Sequence, residues 1–272
     1  MTALLSLFQY GFAVRALEAG IIVALAAPLI GIFLVLRRYS LIADTFAHIS
    51  LAGLAMGFLL GWNPMLTALG ATLVASLGIE RLRISKKVYG ESALAIFLSG
   101  GLALAVVLVS AGKGMNPSIL NYLFGSIVTV TSRDVAIIAL LAGVVAGALL
   151  LFYKELVYTT FDEESAAVSG INTGLVNTIL ILLAAFTVSL AIPIVGVLLI
   201  SALMIIPVAC ALQFKKSFMQ TVLYAEAISL GSMIAGIMVS FAYDISTGGA
   251  IVLIMIAFFI LILGYKRFSY AL

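Results

Sequence analysis

Residues 16–36 read ALEAGIIVALAAPLIGIFLVL and contain one charged side chain, Glu18. As an α-helix this stretch is about 30 Å long, which matches the hydrocarbon core of a bilayer. Similar stretches recur along the 272 residues, of which 64% are hydrophobic and 9% charged, with a mean hydropathy of +1.31. The alternating ten-residue segments of a transmembrane β-barrel are not seen. The sequence therefore predicts an all-α polytopic membrane protein.

Apolar stretches long enough to cross a bilayer predict eight or nine transmembrane helices, in a single transmembrane domain over residues 1–272. We place them at about 16–36, 41–60, 64–80, 91–110, 133–153, 173–192, 194–213, 218–242 and 249–265. The apolar stretch 119–130 is only about twelve residues long, too short to cross. We expect a short external half-helix or re-entrant segment there.

The basic residues indicate the orientation. Only Arg15, Lys113 and Arg133 lie in loops that this count places on one side of the membrane. The other side has Arg37, Arg38, Arg81, Arg83, Lys86, Lys87, Lys154, Lys215, Lys216, Lys266 and Arg267. The positive-inside rule then predicts a cytoplasmic C-terminus and, with nine spans, an external N-terminus whose residues 3–13 form a short interfacial helix. Loops that face anionic lipid also explain the pI near 9.0, which is therefore no evidence for nucleic-acid binding.

The predicted cytoplasmic loop at about 158–171 differs from the others. Thr160 is suited to cap a helix whose first turn carries Asp162, Glu163 and Glu164 next to the positive end of the helix dipole. Gly170 is suited to end that helix. The loop therefore predicts a short helix on the cytoplasmic surface, and the alternative is a solvated connector.

Several classes of protein are excluded. The sequence contains no phosphate-binding P-loop, no Gly-rich dinucleotide motif after a strand, and no hydrophilic segment long enough for a catalytic domain. We therefore expect that the chain is not an enzyme and that any ATP hydrolysis is performed by another polypeptide. The single Cys210 lies in an apolar run and is interpreted as a packing residue.

Asp44 and His48 are the candidate metal ligands. They are four residues apart on a predicted helix, so the carboxylate and the only imidazole of the chain lie on one face. Both groups are ligands that borderline divalent metals accept. Gly53, Gly57 and Gly61 lie on roughly the opposite side, where they form two overlapping G-x-x-x-G steps that favour close helix packing.

A structural role for the pair is the alternative, in which His48 simply hydrogen-bonds to Asp44, or both bond backbone groups near the membrane edge. Two ligands are also too few for a metal site. A twofold dimer would bring two Asp-His pairs together and supply four N/O ligands for a tetrahedral ion. Glu18 and Glu226 also lie in predicted spans, and each is a possible secondary ligand, gate or packing group.

Residues 37–53, RRYSLIADTFAHISLAG, resemble a signature of permeases from bacterial zinc and manganese ABC importers. Residues 120–130 resemble the external half-helix and residues 162–171 the coupling helix of that family. Residues 193–207 and the turn at 243–249 also fit, and all five blocks follow in order. Ala43 replaces the usual Gly, and the turn at 243–249 lacks the usual Pro before its glycines.

The resemblance implies a homodimer in the bacterial plasma membrane, two cytoplasmic ABC ATPase subunits, and an extracytoplasmic metal-binding protein. Asp44 and His48 correspond to residues that are proposed to line the metal path of the family. The metal ion is transported cargo, and no permanently bound cofactor is expected. The ATPase-coupling residues that the resemblance implies are Asp162, Glu163, Glu164, Ala167 and Gly170.

The motif Asp-Thr-x-Ala-His-x-Ser-Leu resembles the zinc-uptake members more than the manganese members. Two imidazoles and two carboxylates suit tetrahedral Zn²⁺, whereas Mn²⁺ would complete an octahedral shell with water. Zinc is therefore the predicted cargo, with manganese as the alternative. Two further hypotheses are a proton-coupled secondary carrier that uses Asp44, His48, Glu18 and Glu226 as a relay, and a membrane scaffold without transport.

Overall fold

A computed structural model describes residues 9–84, 89–112 and 117–269. These residues form twelve helices and confirm the all-α prediction: α1 (Gly11–Leu36), α2 (Leu41–Leu60), α3 (Pro64–Ile84), α4 (Gly90–Ala111), α5 (Pro117–Phe124), α6 (Ser132–Leu151), α7 (Tyr153–Phe161), α8 (Glu163–Val168), α9 (Thr173–Val195), α10 (Ile200–Leu212), α11 (Phe218–Tyr243) and α12 (Thr247–Ser269). Within the described ranges, eight helices are long and apolar enough to cross a membrane.

The predicted span at 194–213 is not one continuous helix. α9 continues through Pro193 to Val195 and ends at Gly196, whose φ of +84° reverses the chain direction at little cost because glycine lacks a Cβ. α10 then begins at Ile200 and has only 13 residues. The chain therefore returns through a non-helical turn and a short helix, and eight is the number of full-length spans among the described residues.

The break between α9 and α10 is held by the half-helix α5, which is shorter than the predicted 119–130. The N–H of Val197 donates to the Tyr122 carbonyl at 2.9 Å, and the N–H of Ser126 donates to the Pro193 carbonyl at 3.3 Å. A Cβ at Gly196 would overlap the backbone of residues 123–125. Backbone hydrogen bonds therefore join the two segments so closely that no side chain fits at residue 196.

Helices α1 and α9 form the centre of the bundle. α1 packs against α6, α9, α10 and α11, and α9 also packs against α2 and α3. Small residues allow this proximity: Gly31 of α1 lies directly against the carbonyl of Met204 in α10. The Ser229 hydroxyl of α11 donates to the Ala24 carbonyl of α1 at 2.8 Å. In the apolar interior, such bonds satisfy polar groups that would otherwise be costly to bury.

The G-x-x-x-G prediction for α2 is correct at two glycines and wrong at the third. A Cβ at Gly53 would lie 2.6 Å from Ala68 Cα, and a Cβ at Gly57 would lie 2.9 Å from Pro64 Cα and overlap the Thr67 hydroxyl, so both glycines pack against α3. Gly61 has no neighbouring atom within 4 Å at its Cβ position. It is instead the left-handed C-cap of α2, with φ of +68°.

The connections lie at two ends of the bundle. One end contains the α1–α2 turn, α7, α8 and the start of α9, which are linked by side-chain hydrogen bonds. The other end contains the start of α1, α5 and the α11–α12 turn, where Phe12 contacts Phe241 and the Ser246 hydroxyl donates to the Phe124 carbonyl. Of the predicted interfacial helix at 3–13, residues 3–8 lie outside the described residues, and residues 11–13 belong to α1.

Candidate functional site

Asp44 and His48 lie in the first half of α2, on the face opposite the glycines that pack on α3. A neighbouring side of α2 faces α4, where the Thr45 hydroxyl approaches the Leu94 carbonyl at 3.4 Å and Ile49 contacts Gly101. Both Asp44 and His48 are half-buried. α2 is therefore fixed by packing on two sides and presents the carboxylate and the imidazole on a third.

The described contacts do not support the alternative in which His48 satisfies Asp44. Among the described residues, no hydrogen bond or ion pair joins the two side chains. Nδ1 of His48 is buried and has no hydrogen-bond partner in this part of the chain. Because a buried polar atom without a partner costs about 1–3 kcal/mol, the site has unused capacity to bind a ligand.

The remaining candidate ligands do not join this pair. Glu18 is exposed on α1, and Glu226 lies on α11, which packs against α1, α10 and α12. Both carboxylate oxygens of Glu226 are buried without a partner among the described residues. No group of three or more His, Cys, Asp or Glu side chains able to hold a metal occurs in the described ranges. One protomer therefore offers two ligands at α2.

A large cleft lies on a different side of α2 from Asp44 and His48. It has a volume of about 1090 Å³ and runs between α2, α3 and α4, along Ile49, Gly53, Gly70 and Gly101. Its lining is almost entirely apolar and does not include Asp44 or His48. A smaller cleft of about 420 Å³ separates α5 from the α11–α12 turn and is lined by Asn121, Asp244 and other residues. Neither cleft contains the candidate metal ligands.

The predicted surface helix at 158–171 is present, but its N-cap is not Thr160. Asp162 caps α8, and its carboxylate accepts from the Ser165 N–H at 2.9 Å and from the Ser165 hydroxyl at 2.6 Å. These bonds to Ser165 hold the pKa of Asp162 below its usual value. Thr160 instead belongs to α7. The prediction failed because Asp and Thr are both good N-cap residues, and α7 continues to Phe161, which leaves Asp162 at the start of α8.

The coupling residues implied by the resemblance are on the surface. Glu163, Glu164 and Ala167 are exposed, whereas Ala166 packs inward. Val168 is 91% exposed, which is unusual for an apolar side chain on a water-facing helix. The helix ends at Val168, and Gly170, with φ of +88°, follows its C-cap in the two backbone bonds of a Schellman motif.

A chain of hydrogen bonds beside α8 was not predicted. Asn177 of α9 donates to Glu163 Oε1 at 2.7 Å and accepts from Arg37 Nη1, and Arg37 Nε donates to the Thr160 hydroxyl at 2.9 Å. Burial lowers the pKa of Arg37, and the nearby Glu163 carboxylate opposes this effect. In the sequence Arg37 is visible only as a loop charge, because its partners are more than 120 residues away.

The membrane-length helices, the surface helix and the polar pair on α2 define a membrane transport subunit. The family comparison agrees: the chain belongs to the ABC 3 transport family, whose model matches residues 9–266. It is therefore a multi-pass membrane permease of an ABC metal importer, and the ATPase is a separate component of such a system. The family match gives no support to the hypotheses of a proton-coupled secondary carrier and a scaffold.

Relatives with different metals in their names are similar to this chain to nearly the same degree. It is 32% identical to the high-affinity zinc uptake system membrane protein ZnuB of Haemophilus influenzae, over 93% of this chain and 96% of that protein. It is 30% identical to the manganese transport system membrane protein MntC of Listeria innocua, over 96% and 93%. Among solved structures, PsaBC from Streptococcus pneumoniae in complex with Fab has a chain that superposes with a TM-score of 0.82 at 26% identity, covering 96% of this chain and 94% of that one.

Proposed function

We propose that this chain is the permease of an ATP-driven zinc importer and that it works as a homodimer in the bacterial plasma membrane. Asp44 and His48 of two protomers line the ion path at the dimer axis. Zn²⁺ arrives from an extracytoplasmic binding protein and leaves toward the cytoplasm. Glu18 and Glu226, which lie on other helices, are outside this path.

The observation that carries the proposal is the buried Nδ1 of His48, which has no hydrogen-bond partner within the described part of one protomer, beside an Asp44 carboxylate to which His48 is not bonded. A carboxylate and an imidazole with an unpaired nitrogen are expensive inside a bilayer unless an ion or another chain satisfies them. A second copy related by a twofold axis doubles the ligand set to two nitrogens and two carboxylates. This set suits tetrahedral Zn²⁺.

The preference for zinc over manganese rests on the ligands. Mn²⁺ favours oxygen-rich octahedral shells, and the proposed path would need added water to provide one. Imidazole ligands suit Zn²⁺ better. A path with few ligands also suits conduction, since an ion that binds too tightly is released too slowly.

The exposed face of α8 supports contact with an ATPase subunit. Val168 of α8 is 91% exposed, Phe161 at the end of α7 is 64% exposed, and the acidic Glu163 and Glu164 lie between them in the sequence. Exposed apolar side chains next to charged ones are typical of protein contact sites. In this orientation α8 and the C-terminus are cytoplasmic, while α5 and the α11–α12 turn face the binding protein. The loop charges support the same orientation.

The proposed cycle involves no covalent chemistry on this chain. The binding protein docks at the end of the bundle that contains α5, and releases Zn²⁺ toward Asp44 and His48. ATP binding and hydrolysis in the partner subunits move α8, and this movement opens the path toward the cytoplasm. α2 is tightly packed on α3 and α4, so it moves with them as one body.

Radioactive zinc uptake by proteoliposomes tests the proposal. The vesicles contain the native chain, its ATPase and its binding protein, with excess manganese as competitor. We expect uptake that requires ATP, persists with a proton uncoupler, and is reduced little by manganese. Preferential manganese uptake would overturn the zinc assignment, and uptake without ATP would overturn the ATP-driven mechanism.

A further inference from the structure

The turn between α1 and α2, residues 37–40, has an unusual backbone. Arg37 is the C-cap of α1, and the N–H groups of Arg38 and Tyr39 donate to the carbonyls of Val35 and Leu34 at 3.1 and 2.7 Å, which is a Schellman motif. The left-handed position of this motif is usually Gly, but here it is Arg38, with φ of +60°. The turn is therefore a tight connection, held in a conformation that a side chain disfavours.

One side of this turn is attached to α8. Arg37 reaches Asn177 of α9 through Nη1, and Asn177 reaches Glu163 of α8 through Nδ2 at 2.7 Å. Arg37 Nε also donates to Thr160 of α7 at 2.9 Å. The guanidinium therefore joins the end of α1 directly to α7 and α9, and through Asn177 to the surface helix α8.

The other side of the turn is attached to α3. Arg83 donates to the Tyr39 hydroxyl at 2.7 Å and lies over the Tyr39 ring, 5.6 Å from its centroid. Two hydrogen bonds of 2.8 Å to Glu80 fix the guanidinium of Arg83. α2 begins at Leu41, directly after this turn, and Asp44 lies in its first turn. The segment that carries the proposed metal ligands therefore starts at a doubly anchored point.

We propose that Arg37 is a positioning residue that transmits movement of α8 to α2 through the chain Glu163–Asn177–Arg37. This inference rests on the proposed function, because it assigns a route by which the ATPase subunits would act on the ion path. Hydrogen bonds with a charged partner are shorter and stronger than neutral ones, so a displacement of α8 acts directly on Asn177 and Arg37. Asn177 is the link between α8 and Arg37, because it bonds to Glu163 and to Arg37 at once.

The network also has a second arrangement available to it. Nη2 of Arg37 is buried and has no partner among the described residues. The Glu163 carboxylate already acts on the charge of Arg37 across this short distance. In the proposed movement, α8 is displaced toward α1. Nη2 of Arg37 then donates directly to Glu163, and the hydrogen bond from Asn177 to Glu163 is released. Two discrete arrangements of one network are what a coupling element requires.

The test compares zinc uptake per ATP hydrolysed in proteoliposomes that contain the full complex. Asn177→Leu has a side chain of similar size but removes both hydrogen bonds. Arg38→Gly is the matched control. It removes a neighbouring charge on an exposed side chain, and glycine adopts the φ of +60° without strain. We expect Asn177→Leu to lower uptake per ATP at least about fivefold while ATP hydrolysis continues, and Arg38→Gly to keep the native ratio.

A second variant covers poor assembly of Asn177→Leu. Thr160→Val removes the acceptor of Arg37 Nε, one of the two bonds that hold the guanidinium in position, so we expect a reduced ratio there as well. Suppose that the unmutated complex takes up zinc with ATP and that both variants keep its ratio of uptake to ATP hydrolysed. This result overturns the present inference and leaves the proposed function intact. If the native complex itself transports no metal, the proposed function fails, and this inference fails with it.

Discussion

Asp44 and His48 are one helical turn apart on α2, yet no hydrogen bond or ion pair joins them within the described residues. A pair that existed for structural reasons would be expected to bond to each other or to backbone groups. The opposite face of the same helix is packed so closely on α3 that only glycine fits at two positions. α2 is therefore rigidly placed while its two metal-binding groups remain available.

Close packing of α2 on α3 predicts a large difference between two Gly→Ala variants. At Gly53 a Cβ would lie 2.6 Å from Ala68 Cα, whereas at Gly70 no atom lies within 4 Å. We expect Gly53→Ala to lower the free energy of unfolding by about 1–3 kcal/mol, the usual cost of overpacking. Gly70→Ala should raise it slightly, because alanine is the better helix former. Thermal unfolding in detergent measures both, and equal unfolding temperatures would contradict the packing described for α2.

A dimer axis beside His48 predicts a cross-link between two copies. Cys210 is the only cysteine and is buried, so Cys210→Ala gives a background without thiols. In this background we expect His48→Cys to form a covalent dimer with a short bifunctional thiol reagent. Leu223→Cys, at a position on α11 that is 62% exposed, should remain monomeric. Dimers at the Leu223 position alone would place the axis elsewhere.

The N-cap of α8 predicts how the surface helix depends on Asp162. Asp162→Ala removes the acceptor for both Ser165 groups, whereas Asp162→Asn retains a good cap. We expect faster amide hydrogen exchange across residues 163–168 and weaker metal-stimulated ATP hydrolysis for Asp162→Ala, with Asp162→Asn close to native. Unchanged exchange in Asp162→Ala would mean that other contacts hold α8.

The lowered pKa of Asp162 gives the sign of the pH dependence. A carboxylate whose folded pKa is depressed stabilises the helix above its unfolded pKa, and this contribution is lost as the pH falls through the folded value. The protection factors of α8 amides should therefore be constant between about pH 6 and about pH 8. A loss of protection within this range would point to another titrating group.

The unpaired carboxylate of Glu226 predicts a gain in stability when it is removed. Both of its oxygens are buried without a partner in the described part of the chain, and α11 does not pack against the helix that carries Asp44. We expect Glu226→Leu to raise the unfolding temperature, since an unpaired buried polar group is costly. Glu226→Gln should transport zinc at close to the native rate. Loss of uptake in Glu226→Gln would place this carboxylate on the ion path.

Much of the fold could be predicted from local patterns. Apolar length located the eight full-length spans, and the spacing of Gly53 and Gly57 located the face that packs on α3. The break between the predicted spans 173–192 and 194–213 was placed a few residues too early, because residues 194–200 are all apolar or glycine and hydrophobicity does not show where the helix ends. Hydrophobicity does not report a glycine with positive φ such as Gly196, which lies beside the backbone hydrogen bonds that Val197 and Leu198 donate to α5.

The site was predictable where it depends on one helix, and not where it depends on distant contacts. The spacing of Asp44 and His48 was sufficient to place them on one face. The bonds of Asn177 to Arg37 and Glu163 connect residues 140 and 14 positions apart and have no local signature. The choice between Thr160 and Asp162 as a cap depends on where α7 ends, which neighbouring helices determine.

ATP-dependent zinc uptake by proteoliposomes that contain Asp44→Asn, His48→Ala or the Gly70→Ala control decides whether the polar pair of α2 carries the ion. Loss of a residue that only hydrogen-bonds to a metal ligand typically costs about 10–100-fold in metal affinity or activity. Loss of a direct ligand should therefore reduce uptake at least about tenfold. We predict that loss for Asp44→Asn and His48→Ala in assembled complexes that still hydrolyse ATP, and native uptake for Gly70→Ala. Native uptake in both ligand variants would contradict a metal path through these side chains and make the pair structural.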